Sequence, residues 1–125
     1  MTARAPEDIN RLLAERMAAG DVDGVVALYE PAAVLVSPDG VPTTGHAAIR
    51  GALASLAAMR PRMAMNVTRV VRTAADIAVA YNDWRLSAVD AKGRPVEIQG
   101  RAVEVSRRQA DGTWLFVVDD PFARG

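Results

Sequence analysis

The sequence contains no cysteine and a single histidine, His46, among its 125 residues. The lack of cysteine excludes disulfide bonds, a thiolate nucleophile and a zinc site built on cysteine. With one histidine there is no polyhistidine metal site, and a Ser-His-Asp triad would have to use His46. Glycine-rich phosphate loops and acid pairs at metal-ligand spacing are also missing. We therefore expect no resident metal or other cofactor.

Net charge and long apolar runs are lacking as well. Fifteen basic and fifteen acidic residues cancel, so the chain has no basic excess of the kind that binds nucleic acid. Its longest stretch without a charged residue, residues 40–49, is far shorter than the ~20 apolar residues of a membrane-spanning helix. The N-terminus carries acids and no continuous apolar segment, unlike a secretory signal. These absences predict a soluble, cytoplasmic domain that binds neither nucleic acid nor membranes.

Half of the residues are apolar, which is enough for one hydrophobic core. Their spacing predicts helices over residues 6–19, 22–29 and 46–59. Asp21 is a typical N-cap for the second helix, and Pro61 ends the third because the residue before a proline avoids helical geometry. A short strand, residues 33–36, follows the second helix and leads into a Ser-Pro-Asp-Gly turn.

The second half of the chain is rich in β-forming residues. Four runs are separated by turn sequences, residues 63–73, 77–89, 95–107 and 113–119, and they predict an antiparallel meander. Three helices around one short strand, followed by this meander, predict an α+β fold in which a curved sheet packs against helices on one face. We expect residues 1–125 to form a single domain.

Three segments resemble a known family. Residues 20–29 (GDVDGVVALY), 33–36 (AVLV) and 45–50 (GHAAIR) resemble the opening of ketosteroid isomerases and SnoaL-like polyketide cyclases, members of the nuclear transport factor 2-like superfamily. The closing DGTW is similar to the end of many SnoaL-like bacterial proteins. The resemblance implies a cone-shaped curved antiparallel sheet wrapped around the three helices and enclosing an apolar pocket. It also implies a homodimer formed through the outer face of the sheet.

The classical ketosteroid isomerase residues are missing from the positions that the resemblance implies. That reaction uses a carboxylate base, together with a tyrosine and a protonated aspartic acid that donate hydrogen bonds to the dienolate oxygen. The corresponding positions here carry Leu13 for the tyrosine, Ser37 for the base and Arg101 for the protonated acid. Classical steroid isomerase activity is therefore not expected.

Other polar residues provide candidates for catalysis. Strand alternation places Leu115, Val117 and Asp119 on one face, and the resemblance assigns this face to the pocket. Arg101, one strand away, is expected to pair with Asp119, because a lone charge on an apolar face is costly to desolvate. We interpret Asp119 as the acid–base group and Arg101 as its orienting residue or an oxyanion stabiliser. The alternative is a structural ion pair at the edge of the sheet.

Two candidates for substrate binding, Ser37 and Asp39, lie in the turn at the expected mouth of the pocket. An aspartate in Pro-Asp-Gly is also a common turn former. Two more candidates, Tyr81 and Asp83, share one face of the strand over residues 77–86, whereas Asn82 and Trp84 share the other. Alternation alone does not decide which face lines the pocket, and the resemblance favours the Tyr81 face.

Hypotheses from different functional classes remain open. The first is a cofactor-free isomerase, cyclase or dehydratase of the SnoaL-like type, acting on a small apolar carbonyl compound through Asp119 and Arg101. The second is a non-catalytic ligand-binding or dimerisation module. A third, an epoxide hydrolase, needs a water held by an Asp-Arg-Asp set, and Asp83, Arg101 and Asp119 supply those residue types. A buried acid with a raised pKa in the pocket would favour catalysis.

Overall fold

Three helices and six strands make up residues 1–124, the part of the chain that the computed structural model describes. In chain order they are α1 (Pro6–Ala18), α2 (Val22–Val26), β1 (Tyr29–Val36), β2 (Pro42–Thr44), α3 (His46–Ala58), β3 (Arg62–Arg72), β4 (Ile77–Val89), β5 (Pro95–Arg108) and β6 (Trp114–Asp120). Over these residues, no helix combines the length and the apolar character needed to cross a membrane.

The strands form one curved, unclosed sheet in the order β2-β1-β6-β5-β4-β3. All neighbours are antiparallel except β1 and β6, which run parallel. Residues of all three helices pack with the inner face of the sheet in one hydrophobic core. The predicted α+β fold, with its four-strand meander after the helices, is confirmed.

The first two helices begin at local capping interactions. The Asp8 carboxylate accepts a hydrogen bond from the Ala5 N–H at 3.1 Å, which satisfies a donor that the start of α1 leaves free. Asp21 caps α2 as predicted, because its Oδ1 accepts the Gly24 N–H at 2.9 Å. This helix is shorter than predicted, since Tyr29 starts β1 instead of ending the helix.

The inner face of the sheet carries small residues where the helices approach it. Ala78 and Ala80 of β4 and Ala102 of β5 are buried there, at most 4% exposed. The larger Val79 and Val103 lie on the outer face and are half-buried. The usual expectation that the bulkier apolar residues face the core is therefore reversed in this part of the two strands.

Strand β6 contains a β-bulge at Val117. Phe116 and Val118 pair with consecutive residues of β5, so Val117 has no partner of its own there. The extra residue reverses the alternation, and both Phe116 and Asp119 are buried on the inner face. The prediction that Leu115 and Val117 share the face of Asp119 is wrong for this reason, although Asp119 does lie inside.

The residues after β6 continue along β5, where Gly100 leaves room for them. The Trp84 Nε1–H of β4 donates to the Pro121 carbonyl at 2.8 Å, and the Phe122 ring packs edge-on against Trp84 at 5.4 Å. A Cβ at Gly100 would lie 2.6 Å from the Pro121 carbonyl oxygen and 2.8 Å from Trp84 Nε1. Only glycine permits this close crossing.

We expect Gly100→Ala to destabilise the protein by about 1–3 kcal/mol, because the new methyl group separates Trp84 from Pro121. Urea denaturation measures the change. Gly51→Ala is the matched control: this helical position has no neighbouring atom within 4 Å, so the same substitution should stabilise by roughly 0.5–1 kcal/mol. Equal stability of Gly100→Ala and the wild type would contradict this account of the crossing.

Candidate functional site

A cavity of about 200 Å³ lies between the helices and the inner face of the sheet. Most of its wall is apolar and comes from α1, α3, β3 and β4, including Leu13, Leu53, Leu56, Met63, Met65 and Leu86. The polar side chains that line it are Tyr29, Ser37, Asn82, Glu104 and Asp119. The cavity therefore combines an apolar wall with a small polar cluster.

Two carboxyl groups lie in this polar cluster on neighbouring strands. Glu104 of β5 and Asp119 of β6 are register partners, and they are only 3% and 4% exposed. Sequence reasoning identified Asp119 and missed Glu104. One signal was available: Glu104 stands between Val103 and Val105 in the middle of a long strand, where an acid is unusual. That signal did not show which face Glu104 occupies.

Tyr29 fixes the Asp119 carboxyl from β1. Its hydroxyl donates to Asp119 Oδ2 at 2.6 Å, and its ring packs against Phe116 at 5.1 Å between centroids. Burial, with the negative charge of Asp119 adding to it, raises the pKa of the Tyr29 hydroxyl well above its usual value, so the hydroxyl stays protonated. His46 Nε2 donates to the Tyr29 carbonyl at 2.7 Å, since a carbonyl oxygen can only accept. His46 thus ties α3 to β1.

Asn82 holds the other carboxyl. Its Nδ2 lies 3.4 Å from Glu104 Oε2 and 3.4 Å from Asn10 Oδ1 of α1. Its own Oδ1 accepts the Asn66 N–H at 3.0 Å. Glu104 Oε1 is buried and has no hydrogen-bond partner in the described part of the chain. One oxygen of Glu104 is therefore engaged by an amide, and the other is left without a partner.

The pKa values of Glu104 and Asp119 are both raised, but to different extents. Burial, together with the negative charge of Asp119, raises the pKa of Glu104 to about 8, against the opposing effect of the nearby Asn10 and Asn82 amides. Burial also raises the pKa of Asp119, to about 6, while the Tyr29 hydrogen bond opposes this shift. The Tyr29 hydroxyl donates to Asp119, whereas Glu104 Oε1 has no donor among residues 1–124, so the negative charge of the pair is better stabilised on Asp119 and the proton on Glu104. Two carboxyl groups whose pKa values are separated in this way can serve as an acid and a base.

Arg101 lies on the outer face of the sheet, with its side chain 57% exposed. Its Nε is 3.6 Å from Asp83 Oδ1. The prediction that Arg101 and Asp119 share one cavity is wrong, because Arg101 is an odd number of residues from Glu104 on β5 and so faces the opposite side. The proposed Asp83, Arg101 and Asp119 set of an epoxide hydrolase is also wrong, since the sheet separates Asp119 from the other two.

Tyr81 and Asp83 also face outward. The Tyr81 ring lies under the Arg124 guanidinium at 5.4 Å, and Asp83 accepts from the same guanidinium at 2.9 Å. Asn82 and Trp84 occupy the inner face of β4 and line the cavity. The assignment of the Tyr81 face to the pocket is therefore wrong.

The two candidate substrate-binding residues in the turn after β1, Ser37 and Asp39, occupy different environments. Ser37 lines the cavity, and its hydroxyl lies 3.2 Å from the Thr43 hydroxyl. Asp39 is exposed and does not line the cavity, and its Oδ1 accepts the Val41 N–H at 3.0 Å as a turn former does. Within residues 1–124, no three histidine, aspartate or glutamate side chains are grouped in a way that could hold a metal ion.

A family model matches most of the chain. The model described as the SnoaL-like domain matches residues 9–117. The chain belongs to the SnoaL-like domain family. A search of curated proteins finds no match.

Solved structures with the same fold share little sequence with this SnoaL-like chain. A protein from Novosphingobium aromaticivorans, provisionally assigned as an aromatic ring hydroxylase, is 23% identical with a TM-score of 0.81, covering 95% of this chain and 87% of its own. A ketosteroid isomerase-like protein from Erwinia carotovora atroseptica is 20% identical, with a TM-score of 0.77 and coverage of 91% and 89%. A nuclear transport factor 2-like superfamily protein from Salmonella enterica is 16% identical, with a TM-score of 0.78 and coverage of 94% and 88%. These likenesses show the fold.

We expect Glu104→Gln to remove a pH dependence of stability. The Glu104 pKa is raised in the folded state, so its contribution to stability is complete below the unfolded pKa and is lost as pH rises towards about 8. The wild-type Tm should fall between pH 5 and pH 9 by on the order of 5–10 °C more than that of Glu104→Gln.

Thermal unfolding followed by circular dichroism across this pH range tests the prediction. Glu97→Gln, the same change at an exposed position of the same strand, is the control and should follow the wild type. Parallel curves for the wild type and Glu104→Gln would contradict the raised pKa of Glu104.

Proposed function

We propose that this SnoaL-like protein is a cofactor-free acid–base catalyst that transfers a proton on a small apolar carbonyl compound, as an isomerase does. The observation that carries the proposal is the buried pair of Glu104 and Asp119, on neighbouring strands, in an apolar cavity. Cyclisation and dehydration of carbonyl compounds can begin with the same proton removal. The likeness to a ketosteroid isomerase-like protein agrees with this chemistry at the level of the fold.

Asp119 is the base in this proposal. Its carboxylate is ionised near neutral pH, and Tyr29 holds Oδ2 in a fixed direction. The other carboxylate oxygen is left to accept a proton from a carbon next to the carbonyl group. Because Asp119 is buried, its carboxylate is poorly hydrated and its raised pKa brings it closer to the operating pH, which favours proton transfer.

Glu104 is the acid. As a proton is removed from carbon, negative charge develops on the carbonyl oxygen, and a protonated carboxyl group beside that oxygen stabilises it. In ketosteroid isomerases this role belongs to a protonated aspartic acid, at the position where this chain has Arg101. In the proposal, Glu104 takes the role from a position three residues later in β5. The position of the base also differs from the one that the resemblance implies. The resemblance places the base at Ser37, which lines the cavity, whereas the proposed base, Asp119, lies on the last strand.

We further propose that the protein is a homodimer formed through the outer face of the sheet. The helices cover only the inner face, while Val79, Val103, Val105 and Val118 form a half-buried apolar patch outside. A second copy of the same patch would cover these valines and remove them from water.

Catalysis is tested by following exchange of the protons next to the carbonyl of 1-indanone for deuterium in D₂O by NMR. We expect faster exchange than in buffer, with a bell-shaped pH profile whose limbs lie near the pKa values of about 6 and 8. Asp119→Asn should slow the exchange by about 10²-fold or more. Asp39→Asn, the same change in an exposed turn, should leave it unchanged.

Two results would count against catalysis. Binding of 1-indanone without accelerated exchange would instead support a non-catalytic ligand-binding module. Exchange that is equally fast in Asp119→Asn and the wild type would exclude Asp119 as the base.

Sedimentation equilibrium at micromolar concentration tests the dimer. We expect twice the 13.3 kDa chain mass, and Val103→Asp should give monomers, because it places a charge in the centre of the patch. Val41→Asp, at an exposed position in the turn before β2, should remain dimeric. A wild-type protein of 13.3 kDa would contradict the proposal.

A further inference from the structure

The size of the cavity limits what it can hold. Its volume is about 200 Å³, whereas an engineered protein cavity of roughly 150 Å³ binds benzene. On that scale, the cavity accommodates a molecule of about ten non-hydrogen atoms, which corresponds to one or two rings. Its walls include Leu53, Leu56 and Met63, so most of the surface of a bound molecule has to be apolar.

The amide of Asn82 can take only one orientation. A backbone N–H always donates, so the Asn82 atom that lies 3.0 Å from the Asn66 nitrogen has to be the accepting Oδ1. The Nδ2 group therefore faces Glu104 Oε2. Since an amide nitrogen donates and does not accept, Oε2 is the accepting oxygen of Glu104. Because the carbonyl oxygen of a protonated carboxyl group is a stronger acceptor than its hydroxyl oxygen, this contact favours a proton on Oε1.

Within residues 1–124, Glu104 Oε1 is buried and has no hydrogen-bond partner. Asn10, which approaches from α1, has an unpartnered Nδ2 that can only donate. The charged neighbour on β6 is Asp119, whose Oδ2 accepts from Tyr29 of β1. A buried hydroxyl without an acceptor is unfavourable, and Glu104 lines the cavity. A molecule bound in the cavity can supply the acceptor that Oε1 lacks.

We propose that the cavity selects a compact molecule of one or two rings with one hydrogen-bond-accepting oxygen, and that Asn82 is the positioning residue that directs the Glu104 proton towards that oxygen. This inference rests on the proposed function and narrows it. The carbonyl compound has about ten non-hydrogen atoms, and its oxygen lies at the Glu104 end of the cavity. Four-ring ketosteroids exceed the volume of this cavity and should bind more weakly.

The test compares the Kd of 1-indanone with that of indane, the hydrocarbon with the same two rings, by NMR titration at pH 6.5. The ratio of the two Kd values is measured for each variant, so that differences in ligand hydration cancel. Glu104→Leu should weaken the relative binding of the ketone about tenfold, because the donor is lost. Glu104→Gln should stay within about threefold of the wild-type ratio, because its amide NH₂ replaces the hydroxyl as a donor.

Asn82→Asp tests the positioning role. Its carboxylate presents an accepting oxygen to Glu104 Oε2, which draws the proton to that side and should weaken relative ketone binding about tenfold. Asn66→Asp, whose side chain is exposed, is the control and should keep the wild-type ratio. A merely structural role for Asn82 would change both Kd values together and leave the ratio unaltered.

Three outcomes would overturn the inference. One is an unchanged ratio in Glu104→Leu, and another is an unchanged ratio in Asn82→Asp. The third is tighter binding of a four-ring 3-ketosteroid than of 1-indanone. All are binding measurements that involve no turnover, so they are independent of the deuterium-exchange test. A protein that binds 1-indanone as described but exchanges no protons would contradict the proposed catalysis and leave the selectivity intact.

Discussion

Glu104 and Asp119 lie opposite each other inside an apolar core, and the chemistry of the site depends on how the fold tolerates them there. Each carboxyl group loses its hydration, and two negative charges on adjacent strands would repel each other. Hydrogen bonds from Tyr29 to Asp119 and from Asn82 to Glu104 compensate for part of the lost hydration. The raised pKa of Glu104 favours its neutral form, which removes the repulsion between the two carboxyl groups. The same arrangement that lowers the cost of burial therefore places two carboxyl groups in different hydrogen-bonding environments side by side.

The β-bulge in β6 is what brings the two acids to the same face. Without the extra residue at Val117, a strand that buries Phe116 would turn Asp119 outward. The bulge therefore lets one short strand contribute both an aromatic residue to the core and a carboxylate to the cavity. Tyr29 bridges these two contributions, since its ring contacts Phe116 and its hydroxyl contacts Asp119.

The fold could be predicted from the sequence, because its signals are local. Asp21, Pro61 and the turn sequences between strands mark where elements begin and end, and the predicted bounds of 77–89 agree with β4. The site could not be predicted in the same way. Alternation shows which residues share a face but not which face is inside, and the outward valines of β4 and β5 suggest the wrong answer.

The interactions that define the site also join distant parts of the chain. Tyr29 and Asp119 are 90 residues apart, and Asn10 and Asn82 are 72 apart, so no local pattern reveals either pair. Arg101 illustrates the result. It is a basic residue on the strand next to Asp119, as a partner of that acid would be, but its side chain is exposed on the outer face and contacts Asp83.

Two chain segments contribute both to the polar cluster and to the rest of the cavity wall. Asn82 and Trp84 are neighbours on the inner face of β4, and Pro121 follows Asp119 by two residues, just after the end of β6. The hydrogen bond from Trp84 to Pro121 therefore ties the wall of the cavity to the segment that carries Asp119. A change that loosens this crossing would move Asp119 relative to Asn82 and the carboxyl group that it holds. The close approach at Gly100 thus matters for the geometry of the acid pair as well as for stability.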